Sequence, residues 1–295
     1  MKPQLTLDGI TRTSGVRERK KKYLIISEGY VTEINYFTEV KRLMSSKSGS
    51  PLADIVPLKR YHLQSGESDP KRVVSLTEQY IQMLKTGSYT VELFVGKIID
   101  SIFEKDELSE SEMRNIGNCL KQYLNDHGLT KDGLVISYQD ALADSRKLLK
   151  DEFNIDDFEM IDDEIDYDES TDIICIVVDR DKDCRNCEKY RTFIEECRKH
   201  GYRPYVTNPK FELWLLMHFD IERCSEQLRN HRTCIATIKK KSKEFGLIGK
   251  DIDCSEIVLR ISDAIKLSSD YCNDVDSLEE SIGTNISLLM KELGF

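Results

Sequence analysis

The sequence predicts an α/β fold in which a parallel sheet is flanked by helices, and three patterns support this. The first is an unbroken apolar run from Ile173 to Val178 in which β-branched residues predominate. Such a run is typical of a strand that is buried on both faces beneath helices. The second is a similar, shorter run at Tyr23 to Ile26. The third is the order strand, helix, strand, helix in residues 23–84, which favours right-handed crossovers between parallel strands.

The elements of the first part of the chain follow from spacing and turn residues. Apolar side chains at helical intervals predict a helix from Thr32 to about Met44, with Glu33 in its first turn. Glu33 is either an auxiliary acid of a nearby site or a charge that stabilises the helix N-terminus. Ile55 to Leu63 is predicted to be a strand, and residues 71–84 a helix that follows a Gly- and Pro-containing turn.

Residues 87–170 predict a helical insertion, with helices at Leu108 to Asn125 and Gln139 to Leu149. The insertion ends in residues 151–170, which contain eleven acidic residues and no lysine or arginine. A solvated linker is the favoured interpretation of this composition, and mimicry of nucleic acid is the alternative.

After the second apolar run, the pattern predicts a helix over Cys187 to His200 and a short strand over residues 203–206. An apolar helix follows, for which Asn208 is the expected N-cap and Pro209 the first residue. Within that helix, His218 is expected to be a packed core residue.

We therefore divide the chain into four parts. These are a flexible basic arm at 1–22, an α/β core at 23–86 and 171–222, the helical insertion at 87–170, and a C-terminal helical region at 223–295. In the last part, seven lysines and arginines from residue 229 to residue 250 favour a basic surface. Leucines and isoleucines at steps of three and four residues in 263–293 predict closing helices, which pack on the core or form a homodimer surface.

Acidic residues follow both apolar strands at the point where each strand ends. Asp179 and Asp181 project to the same side as the chain leaves its strand, and Glu28 ends the first strand. In open α/β sheets, ligands bind beyond the carboxyl ends of the strands. If the two strands are parallel neighbours, these three carboxylates converge on one point and share a hard divalent cation such as Mg²⁺. The alternative is a strand that simply ends in a polar loop.

Three blocks of this sequence carry a family resemblance: Ile26 to Phe37, Val178 to Asp181, and Asn208 to Phe219. A hydrophobic strand ending in Glu, followed by a later strand ending in Asp-x-Asp, resembles the TOPRIM domain of topoisomerases, bacterial primases and OLD-type nucleases. More narrowly, the three blocks resemble the RloB-like proteins of bacterial defence loci. The resemblance covers roughly residues 20–85 and 170–235, and it implies a TOPRIM-like, Rossmannoid sheet with a helical insertion and C-terminal helices.

Together with the predicted convergence of the carboxylates, the resemblance implies a nuclease that depends on Mg²⁺ or Mn²⁺ and acts as a toxic effector against phage. Glu28, Asp179 and Asp181, with Asp183, are the expected metal ligands. Glu212 is expected to face the same site from the helix after the inner strand. Lys210 or Arg180 is expected to neutralise negative charge on the phosphate. The substrate is RNA, with tRNA as one option, or DNA.

Two alternatives remain at this stage. The same acids would hold the metal of a primase-like nucleotidyl transferase, although the zinc module expected of a primase is not evident. Alternatively, the protein is a regulatory subunit of an ATPase complex. The sequence has no phosphate-binding G-x-x-x-x-G-K-[ST] motif, so any ATP dependence must come from a partner protein.

Bulk properties set further limits. With 43 basic and 53 acidic residues the net charge is −10, so nucleic-acid binding requires a local basic patch. Neither a signal peptide nor an apolar run of membrane length is recognisable, so we expect a cytoplasmic protein that does not enter membranes.

Nine scattered cysteines indicate reduced thiols rather than a disulfide framework. A zinc site at Cys184, Cys187, Cys197 and His200 is the less favoured interpretation because a second CxxC is missing.

Overall fold

The structure is a computed structural model of the 295-residue chain. It describes residues 20–29, 31–46, 53–58, 70–103, 108–156, 158, 165, 167–180, 187–219, 225–247 and 252–295. The fold is a Rossmann-like α/β fold with a mostly parallel five-stranded sheet flanked by helices, which confirms the predicted class.

The strands are β1 (Lys21–Ser27), β2 (Ala53–Leu58), β3 (Thr130–Lys131), β4 (Leu134–Val135), β5 (Ile173–Asp179), β6 (Arg203–Asn208) and β7 (Gly283–Thr284). The helices are α1 (Thr32–Ser46), α2 (Pro70–Thr86), α3 (Val91–Phe103), α4 (Glu110–Asp126), α5 (Tyr138–Phe153), α6 (Cys187–Lys199), α7 (Glu212–Leu216), α8 (Ser225–Arg229), α9 (Cys234–Glu244), α10 (Ser255–Val258), α11 (Ile261–Ser268) and α12 (Ile286–Glu292). A short 3-10 helix covers Ser277–Glu279. Among the described residues, no helix is both long and apolar enough to cross a membrane.

The main sheet has the strand order β2-β1-β5-β6-β7, and all pairs except β6 with β7 are parallel. From β1 the chain crosses to β2 on one side, whereas from β5 it crosses to β6 on the other. The strand order therefore reverses between β1 and β5, which are direct neighbours with Tyr23 opposite Ile173. In doubly wound sheets, the carboxyl ends of the strands at such a reversal form the ligand-binding crevice.

Each face of the sheet packs against its own set of helices, as the unbroken apolar strands predict. Odd-numbered residues of β5, such as Cys175 and Val177, belong to a core that also contains side chains of α1, α7 and the C-terminal helices. Even-numbered residues, such as Ile176 and Val178, belong to a second core with α2 and α6. Every one of these residues is buried because the strand is covered on both faces.

The inserted helices α3, α4 and α5 form a third apolar core around Phe94, Ile98, Leu120 and Leu149. Helix α4 begins with a capping box between Ser109 and Glu112, which satisfies backbone donors at its N-terminus. A small hairpin of β3 and β4 joins α4 to α5, and the sequence analysis did not predict it. The four domain boundaries proposed from the sequence stay a prediction.

Much of the acidic segment lies outside the described residues, but its C-terminal end is anchored to the sheet. The Asp172 carboxylate accepts hydrogen bonds from the backbone N–H groups of Lys22 and Asp168, each at 2.9 Å. The segment therefore ends by fixing the start of β5 beside the start of β1.

The predicted N-cap at Asn208 is wrong. Asn208 is the last residue of β6, where its backbone pairs with Gly283 of β7 and its side chain donates to the carbonyl of Leu278 at 2.9 Å. The chain stays extended because β7 supplies a pairing partner that local sequence does not reveal. After the cis Asn208–Pro209 peptide bond, α7 begins only at Glu212. Glu212 is thus the first residue of the helix and does not lie one turn into it.

The prediction of closing helices from residue 263 to residue 293 is only partly correct. Leu278 lies in the 3-10 helix and Ile282 immediately precedes β7, so neither belongs to an α-helix. Their spacing imitates a helical repeat because three short elements present apolar side chains to the sheet in turn. The predicted strand from Ile55 to Leu63 is observed as β2 up to Leu58, and residues 59–63 lie outside the described residues.

His218 is a buried core residue, as expected. Its Nε2 lies 3.1 Å from the Tyr36 hydroxyl and its Nδ1 lies 3.0 Å from the carbonyl oxygen of Trp214. Burial lowers the pKa of His218 to about 4, so the imidazole is neutral in the folded protein.

This burial predicts acid sensitivity. Protonation of His218 in the unfolded chain begins near pH 6.5, whereas the folded protein resists it until about pH 4. The stabilisation is fully present above pH 6.5, and about 3 kcal/mol of it is lost as the pH falls through this window. Urea unfolding at several pH values should show this slope in the wild type and in the exposed control His127→Gln. His218→Gln should have a flatter slope between pH 6.5 and 4, and an unchanged slope would contradict the assignment.

Candidate active site at the carboxyl edge of the sheet

Glu28 and Asp179 lie side by side at the strand-order reversal. The backbone N–H of Glu28 donates to the carbonyl of Val177 at 2.8 Å, which extends the β1–β5 pairing by one residue. The Glu28 carboxylate then turns across the end of β5, where its Oε2 accepts a hydrogen bond of 3.1 Å from the Asp179 backbone N–H. The structure therefore brings together the two strand-end acids that the sequence predicted to be neighbours.

Asp179 links the end of β5 to the start of α7. It is the last residue of β5, and its Oδ1 accepts a hydrogen bond of 2.8 Å from the backbone N–H of Phe211, just before α7. Because Phe211 is buried in the core shared by α1 and α7, the Asp179 carboxylate is held in place by a rigid neighbour. The other carboxylate oxygen is not used by this hydrogen bond.

Glu33 is a further acid of the site, and the sequence analysis gave it only an auxiliary or helix-stabilising role. It lies in the first turn of α1 and is only 9% exposed. Its carboxylate lies directly over Gly29, where an added Cβ would come within 2.0 Å of Oε2. A side chain at position 29 would displace the Glu33 carboxylate from this place. The signal for Glu33 was its position only five residues after Glu28, which keeps the start of α1 near the same edge of the sheet.

The electrostatics of Asp179 show how many charges meet here. Burial raises the pKa of Asp179 well above its ordinary value, and the negative charges of Glu33, Glu28 and Glu212 raise it further. The ammonium group of Lys210 acts in the opposite direction and lowers this pKa. Four carboxylates and one lysine thus influence each other at one end of β5.

The predicted site residues therefore fall into three groups. Glu28, Asp179, Glu212 and Lys210 all lie at this edge. Glu28 directly follows β1, Asp179 ends β5, Lys210 lies between β6 and α7, and Glu212 begins α7. Asp181 and Asp183 lie outside the described residues. Arg180 does not share the side of Asp179, because strand alternation directs it to the opposite face of the sheet, over the Tyr190 ring of α6.

The chemistry of the donor set fits a hard divalent cation. The donors are carboxylate oxygens, which Mg²⁺ and Mn²⁺ prefer, and their mutual repulsion is relieved when a cation is bound. Within the part of the chain that the structure describes, no group of three or more His, Cys, Asp or Glu side chains forms a metal-binding cluster. The three-carboxylate site that includes Asp181 consequently stays a prediction.

The less favoured zinc site gains no support from the two of its residues whose side chains are described. Cys197 is buried on α6, and burial raises the pKa of its thiol to about 12. The thiolate that zinc requires is therefore disfavoured. His200 instead contacts carboxylates, with Nδ1 2.9 Å from Glu78 and Nε2 3.5 Å from Glu196.

Comparison with known proteins gives one match. A family model described as RloB-like protein matches residues 23–293, which is most of the chain. No curated protein and no solved structure matches it.

The crowded carboxylates predict that the metal-free protein is destabilised by Asp179 as the pH rises. An aspartate whose pKa is raised by folding stabilises the protein below the ordinary pKa near 3.8, and this contribution is lost as the pH rises through the raised pKa. In EDTA at neutral pH, Asp179→Asn should therefore melt higher than the wild type, by roughly 2–4 °C. The asparagine oxygen can keep the hydrogen bond from Phe211.

Divalent cation should reverse this order. Mg²⁺ or Mn²⁺ is expected to raise the Tm of the wild type and of the exposed control Asp126→Asn, but not that of Asp179→Asn. Differential scanning calorimetry at pH 5 and pH 8 measures both effects. Equal responses of all three proteins to the cation would exclude a metal site at Asp179.

Proposed function

The chain belongs to the RloB-like family, and we propose that it is a metal-dependent nuclease that hydrolyses phosphodiester bonds at the carboxyl edge of its sheet. The observation that carries this proposal is the environment of Asp179. A half-buried carboxylate that interacts with three others and with one lysine is unfavourable unless a cation joins the cluster. Asp179 also lies at the strand-order reversal, where sheets of this kind usually form their ligand-binding crevice.

The proposed roles follow from where each side chain lies. Glu28 and Asp179 would hold Mg²⁺ or Mn²⁺, together with Asp181 and Asp183, which follow Asp179 in the sequence. A bound divalent cation polarises the scissile phosphate and lowers the pKa of a water molecule. Phe211 N–H fixes the orientation of Asp179, so the carboxylate does not need to reorganise when the substrate binds.

The other charged groups act on protons and on the phosphate. Glu212 is half-buried at the first position of α7 and is the proposed acceptor of the proton that the attacking water loses. Glu33 is less exposed than Glu212, and its negative charge adds to the repulsion that a bound cation would relieve. Lys210, whose ammonium group influences Asp179, neutralises charge on the phosphate oxygens as the bond breaks.

The substrate class in this proposal is RNA, tRNA included, or DNA, and the biological role is that of a toxic effector in defence against phage. Both rest on the likeness to defence-locus proteins and to TOPRIM nucleases. A local cationic surface must offset the net charge of −10 for such a substrate to bind.

A regulatory subunit of an ATPase complex is the second candidate. One observation favours it: the sequence has no G-x-x-x-x-G-K-[ST] motif, so any ATP dependence must come from a partner protein. In this alternative, a partner protein completes or activates the site.

Cleavage assays separate the two candidates. We expect the purified chain with Mn²⁺ to cleave at least one substrate among tRNA, single-stranded RNA, single-stranded DNA and duplex DNA, and EDTA to abolish the activity. Asp179→Asn and Glu28→Gln should each reduce the rate by roughly 10²-fold or more. The exposed controls Asp126→Asn and Glu152→Gln should retain wild-type activity.

Gel analysis of labelled substrates gives the rates. Cleavage that persists in Asp179→Asn would refute the assigned site. Inertness of the wild type until an ATPase is added would favour the subunit.

A further inference from the structure

Arg180 is a buried cation without an anionic partner among the described residues. It is only 7% exposed, and its Nε is buried with no hydrogen-bond partner in that part of the chain. The guanidinium carbon lies 5.0 Å from the centre of the Tyr190 ring. A planar guanidinium stacked on an aromatic ring is held in a fixed orientation, and its N–H groups remain available.

The surroundings of Arg180 are rigid. Its backbone N–H donates to the carbonyl of Thr207 on β6 at 2.8 Å, which ties the end of β5 to the next strand. The Tyr190 hydroxyl donates to the carbonyl of Val275 at 2.6 Å, which fixes the ring beneath the guanidinium. Both partners of the stack are therefore positioned before any ligand binds.

The nearby carboxylates are already paired with other arginines. Asp276 lies 2.7 Å from Arg198, and Glu279 lies 2.9 Å from Arg191. Asp276, Glu279 and Arg180 all influence the pKa of Tyr190, but among the described residues no salt bridge joins Arg180 to either acid. Burying a cation without a counter-ion is unfavourable, and an incoming anion would offset this cost.

We propose that Arg180 binds a phosphate group of the substrate other than the one that is cleaved. Arg180 and Asp179 are adjacent in sequence but point to opposite sides of the sheet edge, Asp179 to the Phe211 N–H and Arg180 to the Tyr190 ring. They therefore do not converge on one phosphate as its main partners. The substrate is then a polynucleotide whose backbone crosses the carboxyl edge between the two faces. The proposal rests on the proposed nuclease function and adds to it that a single nucleotide is too small to fill the site.

The guanidinium fork matches phosphate oxygens in a bidentate manner, which a lysine cannot reproduce.

Binding is measured with the full-length chain in EDTA, where no metal-dependent cleavage occurs. Fluorescence anisotropy with labelled single-stranded RNA and DNA gives the affinity at several salt concentrations. Arg180→Met should weaken binding roughly tenfold or more, and the slope of log affinity against log salt should shrink by about 0.7.

Arg180→Lys should lose most of the same affinity although it keeps the charge. The control Arg114→Met removes the same charge from an exposed position on α4, away from the sheet edge, and should leave affinity and slope unchanged. Inorganic phosphate at millimolar concentration should raise the Tm of the wild type and of Arg114→Met, but not that of Arg180→Met.

Thermal stability distinguishes a binding role from a structural one. Removing an unpaired buried charge should leave the Tm of Arg180→Met unchanged or higher. A clearly lower Tm of Arg180→Met, or equal affinities of Arg180→Met and Arg114→Met, would overturn the proposal. So would a wild type that binds no oligonucleotide. Since EDTA is present throughout, these results are independent of whether the cleavage assay succeeds.

Discussion

The whole site depends on the parallel pairing of β1 with β5, because this pairing places two acids from distant parts of the sequence at one point. The hydrogen bond from the Asp179 N–H to Glu28 Oε2 spans 151 residues of chain. Apolar side chains on both strand faces fix the register, and a slip by one residue would move every one of them to the wrong core. The position of the carboxylates is therefore a consequence of core packing. The stability gained by burying apolar side chains on both faces of the sheet offsets the repulsion between the carboxylates.

Strand alternation then gives the two sides of the edge different chemistry. On the side of Asp179 are carboxylates and one lysine, an environment that favours a cation. On the side of Arg180 is a stacked guanidinium, an environment that favours an anion. A phosphodiester backbone with its metal ions requires both kinds of partner, and this pairing of a cation site with an anion site distinguishes the edge from an ordinary polar loop.

The sequence predicted those features that depend on uninterrupted patterns. The buried strands, their parallel arrangement and the proximity of Glu28 to Asp179 all followed from apolar runs and the rule that carboxyl ends meet. Features that depend on distant partners were missed. Asn208 looked like a helix cap because its pairing partner Gly283 lies 75 residues further along the chain. Glu33 was undervalued because its role depends on the absence of a side chain at Gly29, and Arg180 because spacing alone does not show which acids other arginines already occupy.

The most direct test of the central claim is to locate the cation. Crystals of the chain grown with Mn²⁺ and a non-hydrolysable oligonucleotide should show an anomalous scattering peak at the carboxyl ends of β1 and β5. The peak should lie about 2.1 Å from carboxylate oxygens of both Glu28 and Asp179. A peak bound by other residues, with Glu28 and Asp179 contacting only the protein, would contradict the account.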